Sequence, residues 1–458
     1  MATMIQSGRA ARRQTMRAIQ PRRNPAAMLL GLAWAGALAV LWLWWDNTAV
    51  VRMDTAQWLI GGGRITGLLG GYMIALVVLQ MARVPALERR VGSDRATRWH
   101  AMSGRYAISL IVAHVVLTVW GYAVQARTGF VEQSVTVVVD FPEMVKAAIG
   151  TGLFLLIGFV SAGMVRRRMS YEAWYYLHLL TYVAVYLTFW HQLATGAEFV
   201  ASPTARTVWY VMYGTVGALL LWYRVLAPVR LNLWHRMEVE AVVEEAPGVV
   251  SVLITGRRLH RLGAEAGHFF RWRFLTKSLR WSANPYSLSA PPRPDLLRIT
   301  VKAAGNHSTA LSRLEPGTRV WAEGPYGAMT AARRSRNKVL LIAGGAGITP
   351  MRALFETLPG GPGDLTLLYR AGRTEDLALW SELREIAEVR GARLMYAVNG
   401  PDGARPEIST ERLQQVLPDI DEHDVYLCGP PGLAEETYSA LRAAGVPARR
   451  IHHESFEM

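Results

Sequence analysis

A chain of 458 residues with 51% hydrophobic side chains, 16 tryptophans and a mean hydropathy of +0.14 is too long for one small domain and too apolar for an ordinary soluble enzyme. Its net charge of +15 would suit a nucleic-acid surface, but much of the excess lies in short loops between apolar runs, which sets that partner aside. One cysteine, Cys428, excludes an intramolecular disulfide and any thiolate cluster, so a metal must be held mostly by histidine or oxygen.

Long apolar runs fill the first half and charged, Gly/Pro-punctuated sequence fills the second, as in a membrane half followed by a soluble half. Residues 1–26 form a basic tail with Arg9, Arg12, Arg13, Arg17, Arg22 and Arg23. Six runs near 27–45, 57–82, 100–124, 143–164, 172–194 and 206–227 approach the roughly 20 residues that cross about 30 Å of hydrocarbon. The first ends in LWLWWDN without a small-residue cleavage pattern, so it reads as a retained helix. The second, QWLIGGGRITGLLGGYMIALVVLQ, holds Arg64 and many glycines. The tail, the 83–99 loop with five arginines and the VRRRMS turn at 165–170 are basic. The segments 46–56 and 125–142 hold one arginine each, and 195–205 holds none. Both termini and the soluble half are therefore expected on the cytoplasmic side of a cell membrane.

The third and fifth runs each carry two histidines, His100 with His114 and His178 with His191, fourteen and thirteen residues apart. On a helix these spacings are roughly 21 and 20 Å. An ionisable group inside a span is costly and functional by default. The two runs cross in the same direction, so His100 should face His178 near the cytoplasmic side and His114 should face His191 near the outer side. Facing neutral imidazoles at two depths suit the axial positions of a haem iron at each depth. Hydrogen bonding between helices, or a proton relay, is the alternative. Thirteen residues leave His191 off the face of His178, so a π-bulge, kink or helix crossing is needed to bring it round.

After the sixth run, RLNLWHRMEVEAVVEEAPGVVSVLITG, GHFFRWRFL, NPYSLSAPP, LRITVKAAGNHSTAL and RVWAEGPYGAM alternate apolar residues with turn signals, which predicts the short strands of a small barrel. KVLLIAGGAGITPMRALF then supplies a strand, a glycine turn and a helix start, where bare backbone N–H groups suit a pyrophosphate. LTLLYRAGRTEDLALWSEL and HDVYLCGPPGLAEETYSAL repeat strand, loop and helix, as in an α/β nucleotide-binding domain. Arg370 and Arg373 follow LTLLY near where an adenosine ribose would lie and suit a 2′-phosphate, so NADPH is expected over NADH.

In this order the soluble motifs resemble the ferredoxin-NADP reductase family. With the six runs and two histidine pairs they resemble the ferric reductase and NADPH oxidase superfamily over nearly the whole chain. The resemblance implies a six-span membrane α-helical bundle carrying two haems at 27–227, a FAD-binding β-barrel at 228–333 and an NAD(P)H-binding α/β domain at 334–458. It places Pro285, Tyr286, Ser287 and Leu288 along the flavin, with Tyr286 beside the ring or ribityl chain and Ser287 near N5. Lys302, Ser308 and Thr309 would meet the FAD pyrophosphate. Gly344, Gly345, Gly347, Thr349 and Pro350 match the pyridine-nucleotide loop, Cys428, Gly429 and Pro430 the nicotinamide end, and Phe456 of the terminal HHESFEM an aromatic cover over the flavin. Asn284 stands where the family often has Arg or His. Arg64 matches an arginine above the outer haem, suited to reduced oxygen or to a propionate, and Thr118 stands where the oxidases tend to carry histidine. The implied path runs from NAD(P)H through FAD to the inner and then the outer haem. The acceptor would be a ferric chelate, oxygen or a quinone. A di-haem carrier or sensor serving a quinone or protein partner is the alternative.

Overall fold

The computed structural model describes residues 25–48, 54–85, 87, 91, 93–400 and 403–454, so the tail arginines and Phe456 lie outside the described residues. The first half is helical: α1 Pro25–Asp46, α2 Thr55–Met81, α3 Ser93–Ala126, α4 Phe130–Asp140, α5 Met144–Ser161, α6 Tyr171–Thr195 and α7 Pro203–His235. Helix starts follow the local chemistry. Asp54 and Gln57 form a reciprocal capping box at α2, with bonds of 2.8 and 3.0 Å. Ser170 caps α6 by accepting from the Ala173 amide, and Ser202 caps α7, with Pro203 in its first turn.

Among the described residues, five helices are long and apolar enough to cross a membrane: α1, α2, α3, α5 and α7. The expected fifth run forms α6, 25 residues long, but its tyrosines, tryptophans and two histidines leave it less apolar than the other five. The last run extends past 227 to His235. Pro228 has no N–H and its ring crowds the carbonyl of Arg224, so the helix opens into a π-turn at Trp222–Leu226 instead of ending. α4, in the 125–142 loop, was not expected.

The glycines of α2 form its packing face. A Cβ on Gly63 would run into Thr118, one on Gly67 would lie 2.6 Å from His114 Nδ1, and one on Gly121 of α3 would lie 2.8 Å from the Ile60 amide. Only glycine lets the two backbones approach this closely, as small residues do between membrane helices generally. On its other sides α2 receives the Tyr72 hydroxyl bond to Ala33 O of α1 (3.0 Å), and Tyr213 of α7 donates to Gly71 O (2.8 Å).

The soluble half begins with two antiparallel sheets of three strands. β1 Glu238–Ala246, β2 Val249–Thr255 and β5 Leu296–Lys302 make one, in the order β1-β2-β5. β3 Phe269–Phe274, β4 Asn284–Ser287 and β6 Val320–Tyr326 make the other, in the order β4-β3-β6. The expected barrel is not a closed sheet: the strands of the two sheets pair with one another through isolated bridges, Glu238 with Arg319 and Leu288 with Ile299. Pairing is interrupted by irregular register between Val239 and Ala241 and between Phe269 and Arg271. Phe270, Trp272, Phe274, Ile254, Leu288 and Ile299 fill the space between the sheets.

The last unit is a parallel sheet of five strands, β7 Val339–Gly344, β8 Leu365–Ala371, β9 Arg393–Val398, β10 Asp424–Cys428 and β11 Ile451–Glu454, in the order β11-β10-β7-β8-β9. Its helices are α8 Ile348–Thr357, α9 Trp380–Arg390, α10 Thr410–Val416 and α11 Pro431–Ala443. The chain winds outward from β7 to β9 and then returns to β10 on the other side. The crevice beyond the carboxyl ends of β7 and β10 is therefore the topological switch point, where such sheets bind nucleotides.

Candidate functional site

α3 and α6 bring the four histidines together in the expected pairs. The ring centres of His100 and His178 are 6.0 Å apart, and those of His114 and His191 are 6.3 Å apart. An iron about 2 Å from each of two imidazole nitrogens puts the ring centres roughly 6 Å apart, so both pairs fit bis-histidine haem ligation. Carbonyls orient the α3 rings: Nδ1 of His114 lies 2.7 Å from Gly63 O and Nδ1 of His100 lies 3.3 Å from Val77 O. With Nδ1–H donated to a carbonyl, Nε2 keeps its lone pair for a metal. On α6, Ser161 Oγ lies 3.3 Å from His178 Nδ1, and Trp174 stacks on the His178 ring at 5.0 Å. α6 is continuous α-helix from Tyr171 to Thr195 with no π-bulge, and His191 still faces His114. Thr118 lies against Gly63 and 3.4 Å from His114 Nδ1.

Arg64 does not stand as a lone cation beside this pair. Its Nη2 and Nε lie 2.5 and 2.9 Å from Glu198 Oε1, and Glu198 is 2% exposed on the turn Ala197–Ala201. Glu198 was not singled out in the sequence. The cue was its position as a carboxylate in the 195–205 segment, which has no cation of its own before Arg206.

In the two-sheet unit, Pro285, Tyr286 and Ser287 lie on β4 and Leu288 just beyond it. Trp272 Nε1 donates to Tyr286 O (2.9 Å), which fixes the strand against β3. Burial pushes the Tyr286 hydroxyl up to about 12, opposed in part by Asn284, so it stays a neutral donor. Its oxygen lies 3.2 Å from His307 Nδ1, and the two rings stack at 6.3 Å. His307 was missed, although it sits inside the AAGNHSTAL stretch. Ser308 Oγ accepts from the amides of Ala304 and Gly305 at 2.9 and 3.0 Å, and the Thr309 amide donates to Gly305 O at 2.9 Å. These two residues therefore shape the turn that would meet a phosphate. Lys302 Nζ lies 3.8 Å from Asp376 Oδ1.

Ser287 is 2% exposed and its Oγ has no hydrogen-bond partner within the described residues. An orphaned buried hydroxyl next to Tyr286 fits a flavin edge that completes it. Ser287→Ala is expected to keep FAD and thermal stability, since no bond within the protein is lost. Flavin reduction should slow about tenfold, the worth of one hydrogen bond of roughly 1 kcal/mol or a little more. Unchanged stopped-flow bleaching of the flavin would remove Ser287 from the site.

At the switch point the two glycine loops touch. A Cβ on Gly347 would run into the carbonyl of Cys428, and one on Gly344 would meet Leu433 and lie 3.1 Å from Pro430 Cδ. Cys428 is fully buried, so it contributes backbone rather than thiol to the loop. A cavity of about 810 Å³ opens here, lined among others by Lys302, Gly345, Thr349, Arg370, Pro430 and Glu436. Pro350 and Gly429 adjoin it in the α8 start and the β10 loop. Arg370 Nη1 lies 3.3 Å from Glu436 Oε2, whereas Arg373 is 73% exposed and paired with Glu375 at 2.8 Å.

The family model described as ferric reductase like transmembrane component matches residues 66–189, and the one described as oxidoreductase NAD-binding domain matches residues 341–438. The reductase subunit Stc4 of stachydrine N-demethylase from Rhizobium meliloti (strain 1021) is 31% identical over 247 residues, covering 50% of this chain and 69% of the relative. The chain belongs to the ferric reductase-like transmembrane proteins with a ferredoxin-NADP reductase-type C-terminal half. NADH-cytochrome b5 reductase 2 of Aspergillus niger is 32% identical over 163 residues, 32% of this chain and 51% of that protein. This chain spans only about half the length of several of its curated relatives, that reductase among them. Among solved structures, the flavohem-like FAD/NAD-binding domain of a nitric oxide dioxygenase from Vibrio cholerae O1 biovar El Tor matches 48% of this chain and 98% of that chain, at 25% identity and a TM-score of 0.43. This ferric reductase-like chain is a membrane-associated, NAD(P)H-dependent oxidoreductase, and its reductase-type half implies FAD binding.

Proposed function

We propose that this protein passes electrons from cytoplasmic NADPH through FAD and two b-type haems to an acceptor on the outer side, a ferric chelate or oxygen. The observation that carries this reading is the pair of facing histidine sets, with ring centres 6.0 and 6.3 Å apart, in the same chain as a glycine-lined nucleotide crevice. When bound, FAD would convert a two-electron donor into one-electron delivery and the haems would relay it. The protein's own contribution is positional. Gly63 and Val77 carbonyls fix the imidazole tautomers, Tyr286 and Ser287 line the flavin edge, and the Gly344–Gly347 turn cradles the pyrophosphate. The Arg64–Glu198 pair makes the outer wall close to neutral, which suits a bulky chelate as well as oxygen. Arg370 and Arg373 favour a 2′-phosphate, and so NADPH. The basic segments keep the soluble half and both termini cytoplasmic.

The test is an absorbance spectrum of the purified protein, without oxygen, before and after NADPH. Expected are flavin bleaching and a reduced low-spin b-type spectrum equivalent to two haems per chain, with NADH acting more slowly at equal concentration. A preparation of folded protein with flavin but no haem would overturn the electron path.

A further inference from the structure

The two halves meet at a polar junction that the electron path leaves unexplained. Asn232, 6% exposed near the end of α7, accepts from the Ala322 amide (2.7 Å) and donates to the carbonyls of Ala322 (2.9 Å) and Pro228 (2.8 Å). One side chain thus satisfies both backbone groups of a β6 residue and ties them to a carbonyl of the helical turn just past the π-turn. Beside it, Glu323 of β6 collects partners from both halves. Arg224, inside the π-turn, forms an ion pair with it, Tyr326 donates to it at 2.8 Å, and Arg271 of β3 approaches to 3.7 Å. Arg83, just past α2 with a left-handed φ of 53°, lays its guanidinium 4.7 Å from the centre of the Tyr326 ring. Burial alone would raise the Glu323 carboxyl, but Arg224, Arg271, Tyr326 and Arg83 outweigh it and hold the group below its usual range, ionised at neutral pH. Arg224 in turn is close enough to Tyr175 and Tyr182 to feel them electrostatically, and these two flank His178 on α6. The junction therefore reaches from the flavin unit to the helix that carries the inner histidine.

We propose that Glu323 is a positioning residue that sets the attitude of the flavin unit on the membrane half, and so the rate at which electrons reach the inner pair, His100 and His178. The inference rests on the electron path proposed above. A purely adhesive contact would be served by the Asn232 bonds. Glu323 adds an ionic clamp joining α7 to β3 and β6, with the stacked Tyr326 and Arg83 behind it, and so limits tilt about that hinge. Because Asn232 keeps its bonds, Glu323→Gln is expected to fold and to retain FAD and haem.

The experiment compares full-length wild type, Glu323→Gln and Glu323→Asp in detergent or lipid discs. In stopped flow, flavin bleaching by NADPH should be unchanged in Glu323→Gln, while haem reduction slows about tenfold or more, since small misplacements of reacting groups cost up to about a hundredfold. Glu323→Asp should recover part of the lost rate. Hydrogen exchange should quicken in 222–232 and 318–326 of Glu323→Gln and nowhere else. Haem reduction at the wild-type rate, or equal slowing of flavin bleaching and haem reduction, would overturn the proposal. If the wild type holds no haem, the electron path fails by itself, and unchanged exchange at the junction would then overturn the clamp as well.

Discussion

His114→Ala is expected to lower haem content from two to about one per chain and to leave FAD binding and NADPH-driven flavin bleaching intact. The ring it removes is one of the pair with centres 6.3 Å apart, and an iron between them has no other imidazole within the described residues to replace it. The fold should tolerate the change. The freed Gly63 carbonyl is one unpaired buried acceptor, a penalty of about 1–3 kcal/mol. Reduction of the inner haem by NADPH should persist, whereas reduction of an external ferric chelate should fall by about a hundredfold, because the relay is cut at its last step. His191→Ala should give the same spectrum and the same kinetics, since either change empties the same site. A pyridine haemochrome assay returning full haem for either variant would break the pairing.

Gly347→Ala should abolish most NADPH-driven reduction while dithionite still reduces the haems. The new Cβ would lie 2.5 Å from the Cys428 carbonyl carbon and 3.1 Å from the Gly429 amide, so the two loops at the switch point must separate. Backbone cannot rotate aside as a long side chain can. Overpacking of this kind costs about 1–3 kcal/mol, or about 5- to 150-fold in kcat/KM for NADPH. Gly345→Ala is the internal control: its φ of 53° is left-handed, but no atom lies within 4 Å of the added carbon, so only the backbone penalty of roughly 1–2 kcal/mol applies. Equal losses in the two variants would show that the loop-to-loop approach is not what orders the nucleotide site.

The histidine spacings, the apolar runs, the two-residue alternation of the strands after 237 and the glycine turn after KVLLIAG were legible because each is a local pattern. Helix rise fixes the depth of His100 relative to His114 whatever packs around them, and strand period fixes which face Trp272 and Phe274 present. The glycines of α2 were visible as an oddity and explicable only once α3 lay against them. Other features depended wholly on the tertiary structure. The packing of α6 against α3, which no residue between His178 and His191 announces, set His191 opposite His114. Bulges and strand ends decided that six strands form two bridged sheets instead of a closed one. Glu198 opposite Arg64, His307 beside Tyr286 and Glu323 beneath Arg224 are single polar residues 134, 21 and 99 positions from their partners. Periodicity carries no information at such separations, since what pairs a lone carboxylate with an arginine is the cost of leaving either one buried alone, and that cost exists only after the chain has folded.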